Sequence, residues 1–158
     1  MSDVELIGRA AELRDLRSLL GEPGLVTLHG PGGIGKTRLL RAIVDAPIVD
    51  ASGVNTAAEL EGALRTALGL GDTGPDAAAI AQALSEVRIL GVDSPETAIS
   101  ATATLVRSLR SQAPALRILV ASQERLQLDG ERVLVVGRLS AEEGAALLKT
   151  RALAVRPE

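Results

Sequence analysis

The sequence has no cysteine, phenylalanine, tyrosine or tryptophan, and it has a single histidine. The absence of cysteine excludes disulfides and thiolate metal sites, and one histidine cannot supply a zinc site built on several imidazoles. The absence of aromatic rings excludes the stacking platforms that bind single-stranded nucleic acid. The core must therefore consist of Leu, Ile, Val and Ala, which pack well in defined rotamers.

Long apolar runs and a surplus of basic residues are also missing. No run approaches the roughly 18 apolar residues that indicate a membrane span. The beginning of the sequence lacks the basic and apolar regions of a signal peptide, so we expect a cytoplasmic location without membrane contact. The net charge of −3 gives no electrostatic reason for this segment to bind nucleic acid directly.

Short apolar runs alternate with segments of helical periodicity along the 158 residues, a length typical of one domain, so 1–158 is expected to fold as a single unit. Helices are expected at 9–20, 36–46, 55–70, 75–87, 94–113 and 140–153, and strands at 25–29, 47–51, 88–93, 116–122 and 131–137. This alternation predicts an α/β fold, a parallel five-stranded sheet with helices on both faces.

Ligands of such sheets bind beyond the C-terminal ends of the strands. In this sequence that edge would bring together 30–37, Asp50, 93–96 and 122–124. The candidate functional residues are therefore expected to form one neighbourhood.

The segment LVTLHGPGGIGKTRLL, residues 25–40, matches two phosphate-binding patterns. Gly30, Gly32 and Gly35 form the dinucleotide fingerprint G-x-G-x-x-G, and Asp50 stands where that pattern expects its ribose carboxylate. Residues 30–37 also form the P-loop pattern G-x-x-x-x-G-K-T. Because a strand precedes the segment and a helix follows it, the context suits either pattern.

The P-loop interpretation assigns a function to more of these residues than the dinucleotide interpretation does. Its glycines would present backbone N–H groups to phosphates, and the start of the next helix adds its positive dipole end. Lys36 would bind the β- and γ-phosphates, and the Thr37 hydroxyl would bind Mg²⁺. Asp93 ends an apolar strand, where a carboxylate holds the Mg²⁺ water shell.

The NAD(P) interpretation assigns no function to Lys36 and Thr37, so a nucleoside triphosphate is favoured over a dinucleotide. The sequence has no N/T-K-x-D guanine pattern, and this favours ATP over GTP. Asp50 then takes the simpler role of a strand-end carboxylate that caps a turn or a helix.

The order of several motifs resembles the STAND class of signal-transduction NTPases, and within it the NB-ARC-like domains of bacterial LuxR-type and SARP-type transcriptional regulators. The segment LIGRAAELRDL (6–16) looks like the opening h-G-R-x-x-E-L motif. Residues 26–40 are similar to the Walker A segment, and ILGVDSPE (89–96) resembles the Walker B segment, which usually reads Asp-Asn-x-Glu. Residues 116–148 are similar to the sensor segment with its following strand and helix.

The resemblance implies a role for each site residue and a strand order of 5-1-4-3-2. Ile7, Gly8 and Arg9 would lie against adenine and ribose, mainly through their backbone. Lys36, Asp93 and Glu96 would be catalytic, with Asp93 binding Mg²⁺ through water and Glu96 orienting the attacking water. The other implied ligands of ATP or ADP are the P-loop residues Gly30, Gly32, Gly33, Ile34, Gly35, Thr37 and Arg38, and the sensor residue Gln123.

The sequence departs from the family at its sensor, which usually reads Thr-Ser-Arg but here is Ala121-Ser122-Gln123. A neutral glutamine makes a hydrogen bond roughly half as strong as the charge-assisted bond of an arginine. The family also continues into helical and winged-helix domains that close over the nucleotide, and these are expected to be absent from this segment.

We therefore expect an ATP/ADP-binding domain that acts as a nucleotide-dependent switch in signal transduction or transcriptional regulation, with slow hydrolysis at most. Its expected partners are further domains of a longer regulator or another protein. An active ATPase or a small-molecule kinase is the alternative. Purely structural roles also stay open: Arg9 could pair with Glu12 or cap the first helix, Glu96 could stabilise a helix dipole, and Gln123 could be a passive polar residue.

Overall fold

The computed structural model describes Leu6 and residues 8–45, 47–71 and 77–154, with side chains described as far as Lys149. Pro75, expected at the start of the fourth helix, lies outside these residues. The described elements, in chain order, are α1 (Ala10–Leu19), β1 (Gly24–His29), α2 (Lys36–Ile43), β2 (Ile48–Asp50), α3 (Ala57–Ala67), α4 (Ala77–Ser85), β3 (Ile89–Asp93), α5 (Ile99–Gln112), β4 (Arg117–Ser122), β5 (Arg132–Val135) and α6 (Ala141–Ala154).

The five strands form one parallel sheet in the order β2-β3-β4-β1-β5. This is the expected order 5-1-4-3-2 counted from the other edge, so the predicted fold class is confirmed. The register pairs His29 with Ser122 and Asp93 with Ala121. The ends of β1, β3 and β4 therefore meet at one edge of the sheet.

Alternate residues of the central strands pack into two separate aliphatic cores. Leu25 of β1 and Ile118 of β4 lie in the core covered by α3, α4 and α5. Val26 and Leu119, their immediate neighbours in the chain, lie in the core covered by α1 and α2. The result is a three-layer sandwich whose central strands β1, β3 and β4 are buried on both faces, as continuous apolar runs predict.

Two helices begin with capping boxes. Thr56 caps α3 together with Glu59, and Ser140 caps α6 together with Glu143. In each box the hydroxyl accepts a backbone N–H at the third helical position, and the glutamate accepts the backbone N–H of the capping residue. None of the described helices is long and apolar enough to cross a bilayer.

The expected start of the fifth helix is wrong, and this error moves a candidate residue. The helix expected from residue 94 begins at Ile99, because residues 94–98 form a turn. Ser94 adopts a left-handed φ of 57° and donates its N–H to the Ala121 carbonyl across the sheet edge. Glu96 therefore lies in this turn and not in the first turn of α5, which removes the proposed interaction with the helix dipole.

Candidate functional site

The loop between β1 and α2 has a shape that only glycine tolerates at several positions. Gly33 and Gly35 have φ of 76° and 108°, the left-handed region that glycine adopts without strain. A Cβ at Gly30 would lie 3.1 Å from the Val136 carbonyl oxygen. At these positions the backbone of the loop carries no side chains, which lets a ligand approach it closely.

Lys36, the first residue of α2, folds back over this loop. Its Nζ donates to the carbonyl oxygens of Gly30 and Pro31, each at 2.7 Å. The residue is 8% exposed, and burial lowers the pKa of its ammonium, while the nearby Glu96 and Asp93 carboxylates partly oppose this shift. The loop thus holds a desolvated cation, which an anion in the same place would stabilise.

Thr37 and Asp93 are already in contact. Thr37 Oγ1 donates to Asp93 Oδ1 at 2.8 Å, and Ser94 Oγ donates to the same oxygen at 3.2 Å. Asp93 is 7% exposed. A hydroxyl and a buried carboxylate oxygen side by side suit Mg²⁺, which prefers oxygen ligands and keeps several of its waters.

Glu96 and Gln123 join the segments that follow β3 and β4. The backbone N–H of Gln123 donates to Glu96 Oε1 at 2.9 Å. The Gln123 side chain lies beside the P-loop, with its Nε2 3.1 Å from where a Cβ of Gly32 would be. One Glu96 oxygen therefore accepts a backbone N–H, and Gln123, at the position expected for the sensor, faces the glycine loop through a neutral amide.

These residues surround a cleft of about 280 Å³ at the edge of the sheet. Its lining residues are Gly32, Gly33, Gly35, Lys36, Thr37, Arg38, Ser94, Glu96 and Gln123. Asp93 lies directly behind the lining residues Thr37 and Ser94, which donate hydrogen bonds to it. Gly30 and Ile34 belong to the loop but not to the lining. Ser94 is the residue that the sequence reasoning missed, although it stands where the Walker B pattern usually has Asn.

Arg9 of the opening motif lies against the loop, and neither Arg9 nor Gly8 is among the described residues that line the cleft. Arg9 is 5% exposed, and its guanidinium donates to Glu12 Oε1 at 2.8 Å and to the Ile34 and Gly137 carbonyl oxygens at 2.7 Å each. The pairing with Glu12, one of the structural alternatives for Arg9, is thus present. Ile7 lies outside the described residues, and the adenine and ribose contacts implied for Ile7, Gly8 and Arg9 stay a prediction.

The strand order argues against the dinucleotide interpretation. In dinucleotide-binding folds β2 lies beside β1, which brings its terminal carboxylate to the ribose. Here β4 and β3 separate β1 from β2, a distance of about 14 Å at ~4.8 Å per strand. Asp50 instead accepts the Ser52 side-chain and backbone donors at 2.5 and 3.0 Å, which lower the pKa of its carboxyl, so it caps a turn as the simpler role predicts.

Sequence comparison gives one family and several relatives. The profile of the AAA ATPase domain matches residues 5–149. A Mycobacterium tuberculosis protein named only as uncharacterized is 35% identical over 177 residues, covering 96% of this chain and 42% of that protein. A second one, provisionally named an HTH-type transcriptional regulator, is 32% identical over 153 residues, covering 90% of this chain and 17% of that protein. The chain thus spans less than half the length of these relatives.

Solved structures share the fold. A Signal Transduction ATPase with Numerous Domains (STAND) from Pyrococcus horikoshii, with a tetratricopeptide repeat sensor, gives a TM-score of 0.57 at 20% identity over 91% of this chain and 25% of that chain. A chain of the Drosophila ORC structure with GC-rich DNA and Cdc6 gives 0.62 at 15% identity over 96% and 32%. The specific likeness to NB-ARC domains stays a prediction. With 5–149 matched, the chain belongs to the AAA ATPase domain family.

Proposed function

We propose that this chain binds ATP and ADP with Mg²⁺ and acts as a nucleotide-dependent switch in signal transduction or transcriptional regulation. The observation that carries the proposal is the contact of Thr37 with Asp93 at 2.8 Å, beside a bare glycine loop that holds the buried Lys36. A cation, a bare backbone and a pair of oxygen ligands within one cleft are what a Mg-nucleotide requires.

The residues of the cleft divide the binding between them. The N–H groups of the glycine loop and the start of α2 would face the phosphates, where the helix dipole favours negative charge. Lys36 would exchange the carbonyls of Gly30 and Pro31 for phosphate oxygens, which are stronger acceptors because they are charged. Thr37 and Asp93 would hold Mg²⁺, and the bound ion would supply positive charge to neutralise the phosphates.

The same residues support slow hydrolysis at most. An arginine finger contributes about 10³–10⁵ to the rate of related enzymes. Among the described lining residues the cations are Lys36 and Arg38, and both belong to α2. The segments after β3 and β4 contribute Ser94, Glu96 and Gln123 to the described lining, and none of these is a cation. The side of the phosphates opposite α2 would therefore receive little positive charge.

A regulatory role is supported by the relatives of this domain. One relative is provisionally named a transcriptional regulator, and one structural neighbour is named a signal-transduction ATPase. This chain covers 17% and 25% of those two proteins, so in them the matching domain is one part of a longer chain. The proposed partners are accordingly further domains of a longer regulator or a separate protein.

The absence of aromatic residues gives a direct test. Purified, tag-free protein should show an absorbance peak near 260 nm from bound nucleotide, or bind Mg-ATP in a calorimetric titration if it is purified empty. Lys36→Ala should abolish binding and keep a native far-UV circular dichroism spectrum, because it removes the buried cation beside the loop. Lys149→Ala, which removes an exposed lysine of α6, is the matched control and should bind normally.

Chromatography of the denatured filtrate identifies the released species. Release of ADP or ATP supports the proposal. Release of NAD would restore the dinucleotide interpretation, and unchanged ATP affinity in Lys36→Ala would contradict the P-loop assignment.

A further inference from the structure

Arg9 is a buried cation whose hydrogen bonds connect three parts of the molecule. Its Nη2 donates to the Ile34 carbonyl in the P-loop, and its Nη1 donates both to the Gly137 carbonyl after β5 and to Glu12 in α1. These partners lie 25, 128 and 3 residues away along the chain. Because charged donors make stronger hydrogen bonds than neutral ones, Arg9 fixes each of these groups firmly.

The hydrogen bond from Arg9 to Ile34 also fixes the orientation of the Gly35 backbone N–H, which belongs to the cleft. The Ile34 carbonyl and the Gly35 N–H belong to one planar trans peptide, in which the two groups point in opposite directions. With the carbonyl turned toward Arg9, the Gly35 N–H points away from Arg9, and Gly35 lines the cleft. Gly33 and Gly35 both have positive φ, so the backbone around this peptide lacks the steric restraint of a Cβ.

The bond to Gly137 holds the segment that leads from β5 into α6. Glu143, in the first turn of α6, lies against Gly8, so closely that a Cβ at Gly8 would be 2.7 Å from Glu143 Cδ. Hydrogen bonds from Ser140 lower the pKa of the Glu143 carboxyl, with a smaller contribution from the positive charge of Arg9. The start of α6 therefore packs directly on the residue that precedes Arg9.

We infer that Arg9 is a positioning residue that couples the phosphate-binding loop to residues 137–143 and hence to α6. The inference rests on the proposed nucleotide binding. A phosphate that accepts the Gly35 N–H would fix the Ile34–Gly35 peptide with its carbonyl toward Arg9. The guanidinium would then be held in place for Gly137, and by linkage a fixed Gly137 would favour phosphate binding in return.

Hydrogen exchange measured by mass spectrometry tests this coupling in the whole chain. Saturating Mg-ADP should slow amide exchange in peptides from 137–149 by at least about fivefold, the lower end of typical allosteric couplings. The Arg9→Met variant is measured at a Mg-ADP concentration that saturates it. In this variant the slowing of amide exchange in 137–149 should fall below about twofold. The reason is that the variant lacks the guanidinium that joins the loop to Gly137, while peptides from α2 still report binding.

Two further variants make the comparison sharp. Arg132→Met is the matched control, because Arg132 also donates to three backbone carbonyls, those of Leu19, Glu22 and Pro23. It should lose stability and keep the slowing of 137–149. Arg9→Lys serves if Arg9→Met does not fold, since an ammonium keeps the charge but lacks the planar fork that reaches several acceptors at once, and it should also lose the slowing.

The outcomes separate the inference from the proposed function. Full slowing of 137–149 in the saturated Arg9 variants would overturn the inference. Slowing confined to α2 in the wild-type chain would overturn it as well, with nucleotide binding intact. Failure of the wild-type chain to bind Mg-ADP or Mg-ATP at all would overturn the proposed function and the inference together.

Discussion

At the scale of single residues, the two sides of the cleft differ in charge. Lys36 and Arg38 belong to α2, and the buried Lys36 is held by two backbone carbonyls. The segments after β3 and β4 contribute the Glu96 carboxylate and the Gln123 amide. Binding of a polyanion needs the first pair, whereas the charge that develops during hydrolysis also needs a cation on the other side.

Gln123→Arg should therefore raise the kcat for ATP hydrolysis by about tenfold or more, because a guanidinium makes a charge-assisted bond to the γ-phosphate that an amide cannot make. Gln123 is exposed and lies beside Gly32, so a longer side chain can extend along the loop without entering the core. Phosphate release under saturating Mg-ATP measures the effect, with Gln123→Met as the control of similar size. An unchanged kcat in the arginine variant would show that the sensor charge does not limit turnover.

At the scale of secondary-structure elements, the start of α6 is fixed by its capping box and by packing on the turn before α1. Gly8 has a φ of 75°, and its α-carbon lies under the Glu143 side chain. Gly53 has the same φ, but a Cβ there would meet nothing within 4 Å. Alanine substitutions at the two glycines therefore distinguish the free-energy cost of a left-handed backbone from the cost of steric overlap with Glu143.

Gly53→Ala should lower the free energy of unfolding by about 1–2 kcal/mol, the penalty for an L-residue in the left-handed region. Gly8→Ala should cost about 1–3 kcal/mol more, because its methyl group overlaps the Glu143 side chain from Cβ to Cδ. Chemical denaturation followed by far-UV circular dichroism gives both values. A double-mutant cycle with Glu143→Ala should assign to this contact the part of the difference that comes from Cγ and Cδ. Equal losses for the two glycines would refute the packing of Glu143 on Gly8.

At the scale of the whole molecule, a ligand at the edge of the sheet contacts the ends of several strands and should stabilise them together. Binding to the folded state alone stabilises it by about 2.7 kcal/mol at a ligand concentration of 100 Kd. Mg-ADP should therefore raise the Tm by about 5–10 °C for a chain of this size. Removal of Mg²⁺ with EDTA should cancel most of the rise, and a Tm that does not respond to Mg-ADP would contradict binding at this edge.

The strands and the P-loop spacing could be predicted from the sequence, and the strand order from its resemblance to a family. The long-range side-chain contacts and one local turn could not be predicted. Buried strands appear as apolar runs, and Lys36 and Thr37 follow the glycines at a fixed spacing, so both are visible in a short window. The acceptors of Arg9 lie up to 128 residues away. The left-handed turn at Ser94 leaves no trace in hydrophobic periodicity, and for that reason the sequence predicts too early a start for α5.

The strand order has a consequence for synthesis of the chain. The central strand β1 pairs with β4 and β5 and with neither β2 nor β3. A nascent chain that has reached only Asp93 therefore contains β1 without a neighbour on either edge. At 5–20 residues per second, the ribosome takes about 5–20 s to progress from β1 to β4. During that time an apolar strand and its glycine loop are unprotected, so this domain should need chaperones most before β4 and β5 emerge.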